Sequence, residues 1–471
     1  MMKSIIQVVR YALVLLAVFA VSCKKAGETT PQQQPNIVFI IADDLGWGDV
    51  GYNGQEKIKT PNIDRLAKEG MIFNQMYAGS PVCGPSRASI MTGVHTGHGT
   101  VRGNPRWSLS GKPVDFDPHE ETLGEVLQKA GYTTAVVGKW GLAENLGATV
   151  PIKQGFDYFY GFNQHLPAHN YYPEQIWEND SLFTLPQNNT MEKKGEYVQE
   201  LFTQKAIDFV ERQQDDPFFL YLAFTTPHFE LTIPDHYKEP YDSLNWPLRK
   251  MIPGHYRHDE NGHVTYAAMV SKMDADIGRL VETLKNKGVY ENTLIIFTSD
   301  NGHEYDNVRD EFFNSNGPFR GMKRDLYEGG IHMPFVAVWP GKINPGSVTE
   351  HQGAFWDLKA TLAEVAGAEI TQETDGISFL PTLTGGAEQA KHDYLYWEFN
   401  EHRGPVQALA KQEWKLVHFV ETGTFELYNL EQDPSEQEDL AGQFPEQLQA
   451  LKTLLGGART EHPEFPLSRR E

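Results

Sequence analysis

Residues 36–44, NIVFIIADD, open with a continuous apolar, β-branched run and close on Asp43 and Asp44. Such a run, without alternation, is the pattern of a strand buried on both faces. Residues 293–301, TLIIFTSDN, repeat it: a second apolar run, then Asp300 and Asn301. Between the two, helix and strand patterns alternate. A helix is predicted over Thr122–Ala130, with Leu123, Val126 and Leu127 on one face and Gly131 as its stop. It leads into the strand-like TTAVV and then Gly138 and Lys139. PFFLYLAFTTPHFE, residues 217–230, is a further apolar strand, with Thr226, Pro227 and His228 at its end. Tyr266 to Gly288 reads as a long amphipathic helix, and its stripe of Met269, Met273, Ile277 and Leu280 is core, not a cofactor site. This alternation predicts an α/β fold, a large sheet flanked by helices. Open α/β sheets bind ligands beyond the carboxyl ends of their strands. Either acidic pair alone reads equally well as a helix N-cap. Two pairs at two strand ends point to a site, and four hard-oxygen side chains suit calcium or magnesium better than zinc.

Residues 83–93, CGPSRASIMTG, put a thiol on a turn and an arginine four residues later, so that Arg87 sits beside Cys83. A lone cysteine usually packs as a small hydrophobe; here the neighbouring string argues for chemistry. The chain has 471 residues, enough for one large α/β domain and a smaller one. With 40% hydrophobic and 12% aromatic residues it is globular, and its formal charge of −22 disfavours nucleic acid or an anionic membrane surface as a partner. A polyanionic substrate would have to be held by a local basic pocket.

The string CGPSRASIMTG resembles the signature of the type I sulfatases, in which that cysteine is oxidised after synthesis to formylglycine (3-oxoalanine). Two further blocks resemble the same family in the same order: GYTTAVVGKW at 131–140 and FRGMKRDLYEGGIHMPFVAVWPG at 319–341. The resemblance runs from about Asn36 nearly to the C-terminus, and it implies an alkaline-phosphatase-like fold with a large mixed sheet. It implies one calcium ion per chain, held by Asp43, Asp44, Asp300, Asn301 and the formylglycine from Cys83. It implies that Arg87, Lys139 and Lys323 meet the sulfate and that His228 lies at the sulfate and the leaving oxygen. One departure stands out at Gly141, where many relatives carry a histidine that contacts the nucleophile or the sulfate. GHGTVRGN at 97–104 also looks like sulfatase sequence and suggests His98 and Arg102 at the pocket mouth. The stretch 155–177, rich in aromatics, His and Asn, reads as a substrate-specificity loop, with His169 as a sugar contact. Arg320 is a further substrate-contact candidate, and Arg320 and Arg324 have Asp325 and Glu328 as possible partners.

In the mechanism implied, one hydroxyl of the formylglycine hydrate attacks sulfur, His228 or Lys323 protonates the departing oxygen, and the second hydroxyl collapses to release sulfate. A histidine suits that proton transfer near neutral pH. Concentrated cations are then the main source of rate enhancement. Residues 1–23 carry Lys3, Arg10 and an apolar run from Tyr11 to Val21 that is too short to span a bilayer, as in a signal peptide. Ala20, Val21, Ser22 and Cys23 resemble a bacterial lipobox, which makes Cys23 a lipidated first residue and residues 24–35 a flexible tether. With two cysteines so used, no disulfide remains. The catalytic domain is assigned to residues 36–385. Residues 386–471, with the strand-like YLYWEFN, VQALAKQEWKLVHF and TFELYNL, form a small antiparallel C-terminal subdomain. The whole reads as a sulfatase of the bacterial envelope, periplasmic or surface-exposed, which meets the membrane only through its lipid. Its partners are a sulfated sugar, from glycosaminoglycan, mucin or algal galactan, and a formylglycine-generating maturation enzyme. Two rivals are a phosphoryl or phosphonate ester hydrolase on the same fold and a non-catalytic glycan-binding lipoprotein.

Overall fold

The computed structural model describes residues 34–105, 107–249, 259–304, 311–386, 388–401 and 404–467. The signal peptide at 1–23, lipidation at Cys23 and nearly all of the tether lie outside the described residues. From Pro35 to Glu471 the chain forms one compact unit.

Ten strands make the main sheet: β1 (Asn36–Asp43), β2 (Met71–Tyr77), β3 (Thr133–Lys139), β4 (Tyr158–Phe162), β5 (Gln175–Glu178), β6 (Ser181–Thr184), β7 (Phe218–Pro227), β8 (Thr293–Ser299), β9 (Phe335–Val338) and β10 (Ser347–Ala354). Their order is β10-β2-β9-β8-β1-β7-β3-β4-β5-β6. The central run β8-β1-β7-β3-β4 is parallel, while β9, β5 and β6 pair antiparallel with their neighbours, so the sheet is mixed.

The apolar run of β1 is explained by what covers it. Val38, Ile40 and Ala42 enter one core, and Ile37, Phe39 and Ile41 enter the other, on the opposite face. The first core is closed by α1 (Pro61–Glu69), the second by α2 (Cys83–Thr92) and α3 (Leu123–Lys129). On the first face lie α4 (Val198–Arg212) and α5 (Gly262–Lys287), and on the second lies α6 (Asp357–Ala366). Full burial of each such Ile, Val or Phe contributes roughly 1.5–3 kcal/mol. Helix α3 starts at the predicted Thr122, whose Oγ1 accepts a hydrogen bond from the Glu125 N–H while the Glu125 carboxylate accepts one from the Thr122 N–H. Helix α5 begins four residues before the expected Tyr266 and ends where Gly288 takes a left-handed φ of 77°.

A second, four-stranded antiparallel sheet follows: β11 (Leu395–Phe399), β12 (Val406–Lys411), β13 (Trp414–Phe419) and β14 (Thr424–Asn429). One side of it packs against α7 (Pro445–Gly457) through Leu409, Leu416, Leu451 and Leu455. The other shares a core with the main sheet's neighbours, where Trp397, Phe399 and Val417 meet Tyr77, Val82 and Trp356. Among the described residues no helix is long and apolar enough to cross a membrane.

Candidate active site

Four adjacent parallel strands deliver the site. Pairing of Ala42 with Ser299 sets the ends of β1 and β8 side by side, so that Asp43 and Asp44 lie against Asp300 and Asn301. Next to β1, β7 runs out to His228, and beyond it β3 ends on Lys139. The turn after β1 is held by side chains of β8's end: the Asp44 N–H donates to Asp300 Oδ1 at 3.1 Å, and the Leu45 N–H donates to Ser299 Oγ at 2.9 Å. Asp44 itself sits at a φ of 64°, in the left-handed region that few non-glycine residues adopt. Sites of binding and catalysis are where such strain collects.

Helix α2 carries Cys83, the candidate nucleophile position. Every one of its residues, Cys83 to Thr92, is buried, so the helix has no wet face and its N-terminus points into the protein. It is fixed to β8's end by Ser86, whose hydroxyl donates to the Asp300 carbonyl at 2.6 Å. Cys83 is its first residue. The Gly84 N–H donates to Asn104 Oδ1 at 3.0 Å, and that oxygen lies 3.9 Å from Cys83 Sγ. An anion placed there meets the positive end of the helix.

The charges interlock. Arg87 grips Asp300 through Nε at 2.9 Å and Nη2 at 2.8 Å, and its Nη1 donates to the Lys139 carbonyl at 2.9 Å. Lys139 Nζ reaches Asp43 Oδ2 at 2.7 Å, and Lys323 Nζ reaches Asp44 Oδ2 at 2.6 Å. His228 Nε2 lies 3.4 Å from the same Asp44 oxygen. Burial alone would push the Asp43 carboxyl up, but Lys139, then His228, Arg87 and Lys323 hold it well below the usual carboxylate range. Burial and the Asp43 charge push Asp300 up to about 7 against the pull of Arg87. Burial also pushes the Cys83 thiol up to about 11, although Lys139 and Lys323 oppose it. An unmodified Cys83 is therefore a poor nucleophile at neutral pH, since only the thiolate attacks.

The same residues fit a hard dication. Asp43 Oδ1 and Asn301 Oδ1 are buried and have no hydrogen-bond partner. Ligand atoms of Asp43, Cys83 and Asp300 lie within 4.8 Å of one another, as do those of Asp43, Asp44 and His228. Two partnerless acceptors, one on Asp43 and one on Asn301, beside the buried carboxylates of Asp44 and Asp300 are a donor set of carboxylate and amide oxygens, the kind calcium takes.

Asp43, Asp44, Cys83, Arg87, Lys139, His228, Asp300, Asn301 and Lys323 are thus brought together. His169 joins them, its ring stacked on His228 with centroids 3.9 Å apart. Three others are placed differently from the sequence expectation. His98 turns its Nδ1 to Asp375 at 2.9 Å. Arg102 is buried and donates to Gly99 O, Glu398 Oε1 and Thr460 O, which makes it a tie to the C-terminal part, not a lining of the pocket mouth. Arg320 donates to Tyr428 Oη at 3.0 Å and to the Glu436 carbonyl at 2.8 Å and lies over the Tyr327 ring, which ties the turn it sits on to the C-terminal sheet. Arg324 pairs with Glu304.

Sequence reasoning passed over His165 and Asn104. His165 is buried, with Nδ1 3.7 Å and Nε2 3.9 Å from Cys83 Sγ. Its presence in a stretch holding two histidines was the available signal. Burial, then the Lys139 charge, holds its imidazole well below the usual histidine range, so it is neutral.

The sulfatase family profile matches residues 35–368, and a profile described as the N-sulphoglucosamine sulphohydrolase C-terminal region matches residues 319–457. The chain is 32% identical to mouse (Mus musculus) N-acetylgalactosamine-6-sulfatase, over 96% of this chain and 82% of that one. It is also 32% identical to human (Homo sapiens) arylsulfatase A, over 89% and 87%. Among solved structures, Ps i-CgsB in complex with k-i-k-neocarrahexaose superposes with a TM-score of 0.76 at 30% identity, covering 93% of this chain and 95% of that one. With its family profile, its ten-stranded alkaline-phosphatase-like sheet and this convergence of residues, the chain belongs to the sulfatases, hydrolases of sulfuric esters.

Proposed function

We propose that this sulfatase removes sulfate from a carbohydrate, with formylglycine made from Cys83 and one calcium ion held by Asp43, Asp44, Asp300 and Asn301. The observation that carries the reading is position 83 at the mouth of a fully buried helix, facing Arg87, Lys139, Lys323 and three buried carboxylates. Support for a sugar substrate comes from relatives: one is named for N-acetylgalactosamine 6-sulfate, and another was solved with a neocarrahexaose.

Formylglycine, as its hydrate, supplies two hydroxyls on one carbon, one for attack on sulfur and one whose electron pair can return to release sulfate. Calcium supplies a positive charge that the partnerless Asp43 and Asn301 oxygens are placed to hold. The chain's own residues do the rest. Arg87 locks Asp300 and spans to the Lys139 carbonyl, fixing the nucleophile's helix against the ends of β8 and β3. Lys139 and Lys323 present ammonium groups to the oxygens of the transferring group, where charge gathers in the transition state. Lys323 and His228 both face Asp44 Oδ2, so the proton for the departing alcohol comes from that side, whereas His165 and Asn104 face Cys83. The signal peptide and Cys23 motif support a lipid-anchored protein of a bacterial envelope, and Cys23→Ser should release it from the membrane fraction.

The test is inorganic sulfate release from a panel of sulfated mono- and disaccharides by protein matured with a formylglycine-generating enzyme, with metal content measured on the same sample. Sulfate release that Cys83→Ala lacks, with one calcium per chain, is the expected result. Two zinc ions per chain, or equal turnover by Cys83→Ala, would sink the reading.

A further inference from the structure

Three histidines crowd the site, and they divide by what their nitrogens face. His228 Nε2 faces Asp44. His169 lies flat against the His228 ring. His165 sets its nitrogens 3.7 and 3.9 Å from Cys83 Sγ. The sulfur marks where the carbon-borne oxygens of the modified residue would begin, so His165 stands beside the nucleophile position.

Its position is built by the loop that lost a side chain. Gly141 takes a left-handed φ of 70°, and a Cβ there would touch only the Lys139 chain carbons, at 3.5 Å. From Trp140 to Glu144 this loop is zipped to the loop after β4. The Trp140 N–H donates to Phe162 O at 3.0 Å and the Ala143 N–H to Asn163 O at 3.2 Å. Gln164 Nε2 donates to Glu144 O at 3.0 Å, and the Glu144 carboxylate accepts the His165 N–H. A glycine at 141 leaves room beside Lys139, and Glu144, three residues on, holds a histidine from another loop at the nucleophile.

Resting on the sulfatase reading above, we propose that His165 is a catalytic residue that takes the proton from the second hydroxyl at position 83 in the sulfate-releasing step. The O–H bond breaks toward an imidazole nitrogen, and its electron pair forms the C=O of the aldehyde. The C–O bond to the sulfo group breaks with its pair, and sulfate leaves. His165 thereby reaches position 83 from the β4 loop, where the histidine that many relatives carry at position 141 contacts the nucleophile or the sulfate.

The test uses full-length His165→Ala and His165→Gln proteins whose formylglycine at 83 has been verified by peptide mass, beside the parent and Cys83→Ala. The parent must release sulfate, which tests the sulfatase reading separately. In the variants kcat should fall about 100-fold or more and KM should fall with it, leaving kcat/KM within about 3-fold of the parent's, because the alcohol has already left when the blocked step begins. The peptide bearing residue 83, quenched during turnover, should be heavier by one SO3 group. His165→Gln keeps the size and an acceptor but cannot carry the proton, so it should trap the same adduct if the alanine variant folds poorly. Adding Gly141→His to His165→Ala should recover at least tenfold in kcat. Rates near the parent's, or a rate loss with no adduct in quenched protein, overturn the proposal.

Discussion

Cys83 is fully buried at the start of a helix with no solvent-facing side, and its thiol is held up near 11. Those facts fix what its loss should do. Cys83→Ala removes a small side chain from a site anchored by Arg87, Ser86 and Asn104, so turnover should vanish while the melting temperature changes little; residual activity near the parent's would exclude the covalent mechanism. Lys323 is a different case, since its ammonium has Asp44 within 2.6 Å and no helix depends on it. Removing one preorganised donor to the transferring group costs about 3 kcal/mol or more in the barrier, so Lys323→Ala should lower kcat/KM by roughly 100-fold or more. Chelation should act on the same residues from the other side. Removing calcium with EGTA would leave Asp43 Oδ1 and Asn301 Oδ1 buried without a partner, so both activity and thermal stability should fall and return on adding calcium. A chelator-treated enzyme with an unchanged melting temperature would contradict the metal assignment.

At the scale of elements, the strand ends were legible in the sequence because the signal is local. An unbroken apolar run followed by two acidic residues names both the strand and what it carries. Pairing of β1 with β8 then only has to bring two such ends together. Loops are another matter. His98, Arg102 and Arg320 looked like pocket residues because polar loop residues near signature motifs resemble one another. What decides their place is a distant partner, and Arg102 finds Glu398 across 296 residues of chain. His165 was missed for the same reason, since its station depends on Glu144 and on a glycine one loop away. The turn after α2 carries a testable consequence of its own. His95 there is buried, its Nδ1 accepts the Gly97 N–H at 3.1 Å, and burial pushes it down to about 4. Its folded-state value lies below the unfolded one of about 6.5, so between the two the unfolded chain binds more protons and stability rises with pH. Acidifying from pH 6.5 to 5 should cost on the order of 2 kcal/mol through this group. His98, raised by its hydrogen bond to Asp375, works in the opposite sense: its contribution is fully present at acid pH and is lost as pH rises above its unfolded value of about 6.5. Urea midpoints of the parent and His95→Gln at pH 7 and 5 isolate the His95 share: the parent should lose more than the variant, and parallel losses would exclude it.

At the scale of the whole molecule, the C-terminal sheet is not an appendage. The third core mixes Tyr77, Val82 and Trp356 with Leu395, Trp397 and Val417, so neither side closes without the other. The polar centre of that junction is Lys415 on β13, fully buried, with Glu328 at 2.8 Å and Glu436 at 2.9 Å. Glu328 also accepts from Tyr77 Oη at 3.0 Å and pairs with His332, and its N–H donates to Glu436 Oε2. Glu328 and its neighbours Gly329 and Gly330 pack on the turn 320–325 that carries Lys323, with the Gly329 N–H donating to Arg320 O at 2.7 Å. The network thus links the small sheet to Lys323, the proposed sulfate contact. Removing one partner of a buried charge network costs about 3–5 kcal/mol because the remaining charges are left without compensation. Lys415→Met should therefore destabilise the protein by that order and lower kcat as well, because the turn holding Lys323 loses its backing. Adding Glu328→Gln to Lys415→Met removes one stranded carboxylate and should restore part of the stability. If the single variant unfolds within about 1 kcal/mol of the parent in urea, the junction is held by its apolar core alone and Lys323 is positioned by local contacts.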